Sequence, residues 1–355
     1  MDQKIRMGVL HGAIRNAGDF FIYESGKKLL ENFLGSDFDF TYKLRTEQIN
    51  GNFDGLIILG GPLISRKIHP QSKNIFKYIK KRDIPVFCFG LGISGEKFSS
   101  DENYFLDLGS IKFWKHVYEK TKLLSVRDKI TYLLMRKLAI KAELTGDPAL
   151  FNLETLEENK VDKEKNMNFY KINKIAVTIP NLSLSIYSLK DFLLTTYFLF
   201  LLKMKFNKKD IGLFFQHGYS NLPTRIMKKL ANMIGIKTYD LSGKSLDSSP
   251  EFYKYDVHIG TRLHSHIYFL TLNKPSFLLS VDNRTGAFLK TIKTPAENYA
   301  NSGIKNLVNM LKRKIEENNF NEFDKVSDEI SKLYAVMKNF LNKIVLFYSK
   351  KGEAL

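Results

Sequence analysis

Short apolar runs and amphipathic segments alternate along the N-terminal half of the chain. The runs "IRMGVLHGA", "FDGLIILGG" and "IPVFCFGLGISG" predict strands. The last two are continuously apolar and end in glycines, as expected for strands buried on both faces of a parallel sheet. Between them, "DFFIYESGKKLLENFLG" and "HPQSKNIFKYIKKRD" have the apolar spacing of helices. Two more predicted strands, "KLLSVRD" and "KAELTGDPAL", continue the pattern on either side of the helix "KITYLLMRKLAI". This alternation predicts a doubly wound α/β domain.

A polar segment, Asn152–Lys171, interrupts the pattern, because it is charged and has no periodic apolar positions. We expect a domain boundary there. Beyond it, strand-like and helix-like segments alternate again: "INKIAVTIPN", "SLKDFLLTTYFLFLLKMKF", "KDIGLFFQHG", "LPTRIMKKLANMIG", "YKYDVHIGT" and "PSFLLSVD".

The chain of 355 residues is long enough for about two domains. We expect a Rossmann-like domain at 1–155, a second at 170–300, and a helical C-terminal extension at 301–355. Ligands of parallel α/β sheets bind beyond the carboxyl ends of the strands. The sequence therefore predicts a ligand-binding cleft between two α/β domains.

The chain is strongly basic, with 55 Lys and Arg against 37 Asp and Glu, a formal net charge of +18. Such a charge favours anionic partners: nucleic acid, anionic lipid headgroups or phosphorylated substrates. The alternative is that the lysines only form a solvated surface and bind no anionic partner. No zinc-finger spacing and no RNA-binding aromatic motif occurs, so we expect no nucleic-acid partner.

The single cysteine, Cys88, lies in an apolar run and predicts a core residue in a reducing compartment. The start of the chain lacks the sustained apolar core of a signal peptide. The longest apolar stretch, Phe192–Leu202, is shorter than the ~20 residues that a bilayer crossing needs. We therefore expect a cytoplasmic protein, and the basic surface admits peripheral contact with the inner face of the cell membrane.

Glycines follow two of the predicted strands, at Gly60, Gly61 and Gly92. They suit tight strand-to-helix turns and also let backbone approach a ligand. After the first strand, "NAGD" places Asn16, Gly18 and Asp19 in a loop toward the cleft. Asp19 is predicted to cap a helix that begins at Phe20.

Arg262 and His264 lie where the predicted strand "YDVHIG" gives way to an apolar helix. At the carboxyl end of a parallel strand, a guanidinium can bind a carboxylate or phosphate in bidentate fashion. A nearby imidazole can exchange a proton with the bound anion. His258 and His266 are predicted to be core histidines with satisfied hydrogen bonds. The joint therefore predicts an anion site built on Arg262 and His264.

Five more charged residues follow predicted strands. Asp282 and Arg284 lie on the loop after "PSFLLSVD", next to the Arg262 joint. Asp128 beside Arg127 suits a helix cap, and Asp147 before a proline predicts a structural turn. No set of His, Cys and carboxylate residues has metal-ligand spacing, so we expect no metal.

The chain resembles the polysaccharide pyruvyl transferase family. The motifs "NAGDFFI", "DGLIILGGPLIS" and "IPVFCFGLGISG" match in order, followed by "SVRD…TGDPA" and "TRLHS". Together they extend from about Gly8 to Phe288. The chain departs from the family pattern at Arg284, where a lysine is common.

The resemblance implies two Rossmann-like domains similar to GT-B glycosyltransferases. It also implies transfer of the enolpyruvyl group of phosphoenolpyruvate onto two sugar hydroxyls, forming a pyruvate ketal and releasing phosphate. The family's donor-binding residues map onto Arg127, Arg262 and His264. No cofactor is implied beyond phosphoenolpyruvate as co-substrate, and the acceptor is a sugar or lipid-linked oligosaccharide.

On this interpretation His264 performs acid–base chemistry, and Arg127, Arg262 and Arg284 bind the donor. Asp19 or Asp282 orients the acceptor hydroxyl. Two other functions suit the same pattern. One is a glycosyltransferase with a nucleotide-sugar donor, and the other is a non-catalytic anion-binding or scaffold protein.

Overall fold

The computed structural model describes residues 4–95, 104–156, 171–182, 186–217 and 221–352. Two parallel six-stranded sheets with helices packed on them form the described chain. This arrangement confirms the predicted α/β class with two Rossmann-like sheets. Most of the polar segment Asn152–Lys171, the predicted boundary, lies outside the described residues.

The N-terminal sheet contains every strand predicted before the boundary. Its strands are β1 (Ile5–His11), β2 (Phe38–Leu44), β3 (Gly55–Leu59), β4 (Val86–Leu91), β5 (Thr121–Val126) and β6 (Glu143–Leu144). Its helices are α1 (Ala17–Leu34), α2 (Pro70–Lys80), α3 (Leu108–Lys120) and α4 (Lys129–Lys137). The strand order is β2-β1-β3-β4-β5-β6.

The second sheet follows the boundary in the chain and is also a parallel six-stranded sheet with helices packed on it. Its strands are β7 (Lys174–Thr178), β8 (Asp210–Phe215), β9 (Lys237–Asp240), β10 (Val257–Gly260), β11 (Ser276–Ser280) and β12 (Ala296–Asn298). The helices are α5 (Ile186–Lys205), α6 (Leu222–Met233), α7 (Pro250–Tyr253), α8 (Leu263–Thr271), α9 (Asn283–Thr291), α10 (Asn301–Glu317) and α11 (Glu322–Gly352). The strand order is β12-β11-β10-β7-β8-β9.

The strands that the apolar pattern did not predict are β2, β9 and β12, and each lies at a sheet edge. β2 alternates buried and exposed positions, and β9 has no fully buried residue. An edge strand covers less core, so its sequence lacks the continuous apolar run of a central strand.

The strand order changes direction beside the first strand of each sheet. In the N-terminal sheet β1 has β2 on one side and β3 on the other, and in the second sheet β7 lies between β10 and β8. Crevices at such switch points are the usual ligand sites of open parallel sheets. Both switch points face the junction between the sheets, where the Ala17 N–H donates to the Gln216 carbonyl at 3.3 Å.

The C-terminal helix α11 packs on the N-terminal sheet, so the predicted extension is an integral part of the core. Phe340 stacks on Phe89 of β4 at 6.2 Å between ring centroids. Phe347 meets Phe87 edge to face at 5.6 Å. None of the described helices combines the length and the apolar character that a bilayer crossing requires.

Candidate active site

Arg262 lies at the joint between β10 and α8, at the N-cap position of the helix. Its backbone N–H donates to Thr178 Oγ1 at 3.3 Å, its Nε donates to the Ile179 carbonyl at 2.8 Å, and its Nη2 donates to Asn181 Oδ1. Among the described residues, no carboxylate lies within 4.0 Å of its guanidinium. Burial, with the charge of Arg284, lowers the pKa of Arg262 to about 10, so it stays a cation at neutral pH.

His264 lies on the first turn of α8 and is 8% exposed. Its Nε2 is 3.5 Å from Asp147 Oδ2, which is an ion-pair distance, but the angle gives Nε2 no hydrogen bond. Gly18 of α1 packs against the ring: a Cβ at Gly18 would lie 2.8 Å from His264 Nδ1. Because Gly18 has no side chain, the backbone of the N-terminal half packs directly against the imidazole of His264.

Asp147 connects His264 to Arg127. Arg127 Nη1 lies 3.4 Å from Asp147 Oδ2, and its Nε lies 3.6 Å from Asp128 Oδ2. A Cβ at Gly92 would lie 2.0 Å from Arg127 Nε, so the predicted close approach at Gly92 receives a side chain of the protein. Arg127 is buried and does not line the cleft, and it reaches His264 through Asp147.

The pKa values of the two carboxylates beside Arg127 shift in opposite directions. Burial raises the pKa of Asp128, which also caps α4 by accepting from the Thr131 N–H at 2.7 Å. Burial acts the same way on Asp147, but the neighbouring His264 and Arg127 outweigh it and lower the Asp147 pKa. Asp147 caps a short 3-10 helix, as the turn prediction requires, and also carries a charge into the site. Sequence reasoning missed this second role.

His258 and His266 are fully buried core histidines, as predicted. Both Nδ1 atoms bond to Ser276 Oγ, at 2.8 and 2.7 Å. Their Nε2 atoms bond to Thr178 Oγ1 at 2.8 Å and to Thr294 Oγ1 at 2.9 Å. Burial lowers the pKa of His258 and lowers that of His266 to about 3. Both rings are therefore neutral, and His258 holds the Thr178 hydroxyl that accepts from the Arg262 backbone N–H.

A cleft of about 930 Å³ opens in front of Arg262 and His264. Other residues on its wall include Asn16, Pro180, Asn181, Asp191, Gln216, Thr261, Asp282, Arg284, Thr285 and Tyr299. Asn16 comes from the N-terminal half and the rest come from the second sheet. The cleft therefore lies at the switch point of the second sheet and is closed by the start of α1.

Asp282 and Arg284 lie on the carboxyl-end loop that the sequence predicted. Asp282 caps α9 by accepting from the Arg284 N–H at 3.0 Å, and Arg284 Nη2 donates to Asp282 Oδ2 at 2.6 Å. Burial opposes the charge of Arg284, but Asp282 outweighs it and raises the Arg284 pKa. The pair presents a fixed guanidinium on the cleft wall beside Arg262.

The predicted cap at Asp19 is wrong. The helix begins at Ala17 and its N-cap is Asn16, whose Oδ1 accepts from the Gly18 N–H at 3.4 Å. The extended backbone at Asn16 starts the helix earlier than the apolar pattern indicates. Asp19 therefore lies in the first turn, and its carboxylate favours the charged forms of Arg45 and Arg262.

Asp19 lines a second cavity, of about 580 Å³, at the switch point of the N-terminal sheet. Gly60 and Gly61 follow β3 with φ of 55° and 82°, a backbone that favours glycine. Gly61 lines this cavity beside Arg45, and a Cβ there would lie 2.9 Å from Arg45 Nη1. Sequence reasoning missed Arg45, which follows the unpredicted edge strand β2.

Solved structures with the same fold include sugar-nucleotide proteins. The chain is similar to MnaA of Staphylococcus aureus in a co-structure with UDP (TM-score 0.58, 11% identity, 97% of each chain covered). It is also similar to UDP-GlcNAc 2-epimerase of Neisseria meningitidis bound to UDP-GlcNAc (TM-score 0.58, 10% identity, 98% of this chain and 100% of that chain). These likenesses confirm the GT-B-like fold, and at such identities they show nothing further.

The search of curated proteins found no match. A family profile described as polysaccharide pyruvyl transferase matches residues 16–283. That span contains Asn16 and Gly18 of α1, the Arg127–Asp147 cluster and the Arg262–His264 joint. The chain therefore belongs to the polysaccharide pyruvyl transferase family and is a transferase.

Proposed function

We propose that the enzyme transfers the enolpyruvyl group of phosphoenolpyruvate to two hydroxyls of one acceptor sugar. A proton adds to the methylene carbon of the donor, and the first hydroxyl attacks the resulting oxocarbenium-like carbon. Loss of phosphate and attack by the second hydroxyl complete the pyruvate ketal. The two hydroxyl protons balance the methyl group formed and the phosphate released.

The observation that carries this proposal is the pair Arg262 and His264 on one cleft wall. Phosphoenolpyruvate has a carboxylate and a phosphate, and Arg262 faces the cleft without a carboxylate partner among the described residues. Arg284 adds a second guanidinium on the same wall. A guanidinium binds either anionic group through two parallel hydrogen bonds.

His264 is the proposed general acid. The Asp147 carboxylate, 3.5 Å from Nε2, stabilises the imidazolium that delivers the proton. Arg127 is proposed to act through Asp147 by keeping that carboxylate ionised and in place. Asp19 or Asp282 is proposed to orient the acceptor hydroxyl, and Asp19 is better placed because Asp282 is already engaged by Arg284.

The test is mass spectrometry of candidate glycan acceptors incubated with the enzyme and phosphoenolpyruvate. We expect a product heavier than the acceptor by one pyruvate minus one water, with release of one phosphate. Glycosyl transfer from a nucleotide sugar is the alternative. Thermal stabilisation by UDP but not by phosphoenolpyruvate, without the ketal product, would favour it. Binding of either donor with no product from any acceptor would favour a non-catalytic anion-binding protein.

We also propose that the enzyme works on an anionic membrane, where a lipid-linked acceptor would lie. α5 exposes a stripe of large apolar side chains at helical spacing: Leu189, Leu193, Tyr197, Phe200 and Met204. The most exposed of these, Met204, is 71% exposed, and neighbouring α6 adds Met233 at 85%. An amphipathic helix with such a stripe can bury its apolar side chains at the headgroup boundary.

From Phe192 onward, the charge along the stripe is positive. No Asp or Glu occurs between Phe192 and Lys209, a segment with four lysines, or in α6, which adds Arg225, Lys228 and Lys229. The stripe also begins beside the cleft, because Asp191 of α5 lines the cleft wall. A membrane-bound α5 would thus hold the cleft next to lipid-linked sugars.

Vesicle co-sedimentation tests the membrane contact. The enzyme should bind vesicles that contain phosphatidylglycerol, bind phosphatidylcholine vesicles less, and lose binding as salt rises. The double change Leu193→Glu with Met204→Glu should abolish most of this binding. The control Leu346→Glu, at an exposed position of α11, should not. Equal binding by both variants would contradict the assignment to α5.

A further inference from the structure

The cavity at the N-terminal switch point contains a buried cation that the donor site does not use. Arg45 is 3% exposed, and its Nη2 donates to the carbonyls of Leu59 and Gly60. Its Nε is buried without a hydrogen bond, and neither Nε nor Nη1 bonds to a described residue. No described carboxylate lies within 4.0 Å of this guanidinium. A buried charge without a counter-ion is costly, so an anionic ligand would stabilise it.

The remaining walls suit a sugar. They present the Asp19 carboxylate, the imidazoles of His11 and His69, and the Gln71 amide. Burial, with the charge of Arg45, lowers the pKa of His11 to about 4 and acts on His69 in the same direction. Both rings are therefore neutral. Each Nδ1 already accepts from a backbone N–H, of Ala13 at 3.4 Å and of Gln71 at 3.3 Å, so each Nε2–H can donate to a hydroxyl.

The His11 ring stacks on Tyr23 at 4.1 Å between centroids. Tyr23 also lines the cavity, so the stack supplies an apolar surface against which the CH groups of a sugar ring can pack.

The cavity is close to the donor site. Asn16 lines the donor cleft and Asp19 lines the second cavity, and the two residues are one helical turn apart at the start of α1. The Asp19 charge acts on Arg45 and also on Arg262 and Arg284. The first turn of α1 is therefore a wall common to the donor cleft and the second cavity.

We propose that this cavity is the acceptor subsite and that Arg45 binds an anionic group carried by the acceptor sugar. The inference rests on the proposed pyruvyl transfer, because only that reaction makes the bound sugar an acceptor. Binding of the sugar does not itself require turnover. Two sources supply such a group: a sugar carboxylate, as in a uronic acid, or the phosphate that links a sugar to its carrier. Either group offers anionic oxygens that can accept from the N–H groups of Arg45 Nη1, because Nη2 already donates to two carbonyls.

Calorimetric titration with glucose, glucuronic acid and glucose 1-phosphate tests the site. At least one anionic sugar should bind more tightly than glucose, and the preferred one identifies the source of the charge. Arg45→Gln should weaken that binding about 10- to 100-fold, the effect of losing a charge-assisted hydrogen-bond pair. Gln71→Ala, at the cavity wall, should weaken it less, and Arg82→Gln, a half-buried arginine of the same half that does not line the cavity, should leave it unchanged.

Separate outcomes decide the two proposals. If Arg45→Gln remains folded by circular dichroism and binds all three sugars as the wild type does, Arg45 only ties together strand ends and the subsite is wrong. If Arg45→Gln does not fold, an unchanged affinity in Gln71→Ala and Asp19→Asn overturns it instead. Anionic-sugar binding that depends on Arg45, without any ketal product, supports the subsite and counts against pyruvyl transfer.

Discussion

Replacing His264 with asparagine should lower turnover with phosphoenolpyruvate about 10²- to 10⁴-fold, the usual contribution of a general acid. The amide keeps a hydrogen-bonding group of similar size beside Gly18 and Asp147 but cannot deliver a proton at neutral pH. Donor affinity should change little, because Arg262 and Arg284 remain. Steady-state kinetics with phosphate release as the readout separates kcat from KM.

The matched control is His116→Asn, which alters an exposed histidine on α3 and should leave turnover unchanged. Asp147→Asn should also lower kcat and move the alkaline limb of the pH profile to lower pH, because a general acid loses activity as it deprotonates and the variant lacks the carboxylate that stabilises the imidazolium. A purely structural role for Asp147 would lower the thermal midpoint without moving the pH profile. Full turnover by a folded His264→Asn protein would eliminate the proposed acid.

Truncating Phe340 to alanine should lower the apparent free energy of unfolding of the N-terminal half by about 3–5 kcal/mol. Phe340 is fully buried and stacks on Phe89 of β4, so its removal leaves a cavity between α11 and the N-terminal sheet. The single tryptophan, Trp114, is buried on α3 of that half, and its fluorescence reports the transition in a urea titration.

Leu346→Ala is the control on the same helix, because Leu346 is 55% exposed and its truncation should cost less than about 0.5 kcal/mol. Equal and small effects of the two changes would show that α11 does not stabilise the N-terminal half. The expected difference would instead show that the last 30 or so residues of the chain complete the first domain.

Much of the fold follows from local pattern. The central strands β3 and β4 are buried at every position, and a buried parallel strand needs a continuous apolar run that is visible in the sequence. The joint at Arg262 is equally visible, because a cation between a buried strand and an apolar helix requires a partner. The net charge of the chain and the glycine turns predicted only the class of ligand, an anion.

The local sequence pattern could not predict contacts between residues that are far apart in the chain. Asp147 carries the signature of a turn, and only the parallel sheets bring it to His264, 117 positions along the chain. Arg45 follows an edge strand whose sparse apolar pattern hides both the strand and the cavity behind it. The side chain of Asp19 faces the second cavity because the helix starts at Ala17, a choice made by one hydrogen bond at Asn16.

The amino-acid sequence by itself determined the two α/β halves and the strand–helix joint with Arg262 and His264. It also predicted that the ligand is an anion. These are local properties, set by apolar periodicity and by the cost of burying charge. Tertiary structure alone decided which carboxylate faces His264, that Arg127 lies on the other side of that carboxylate, and that α11 returns to the first sheet. Those outcomes depend on how distant segments pack, and packing is a property of the assembled chain.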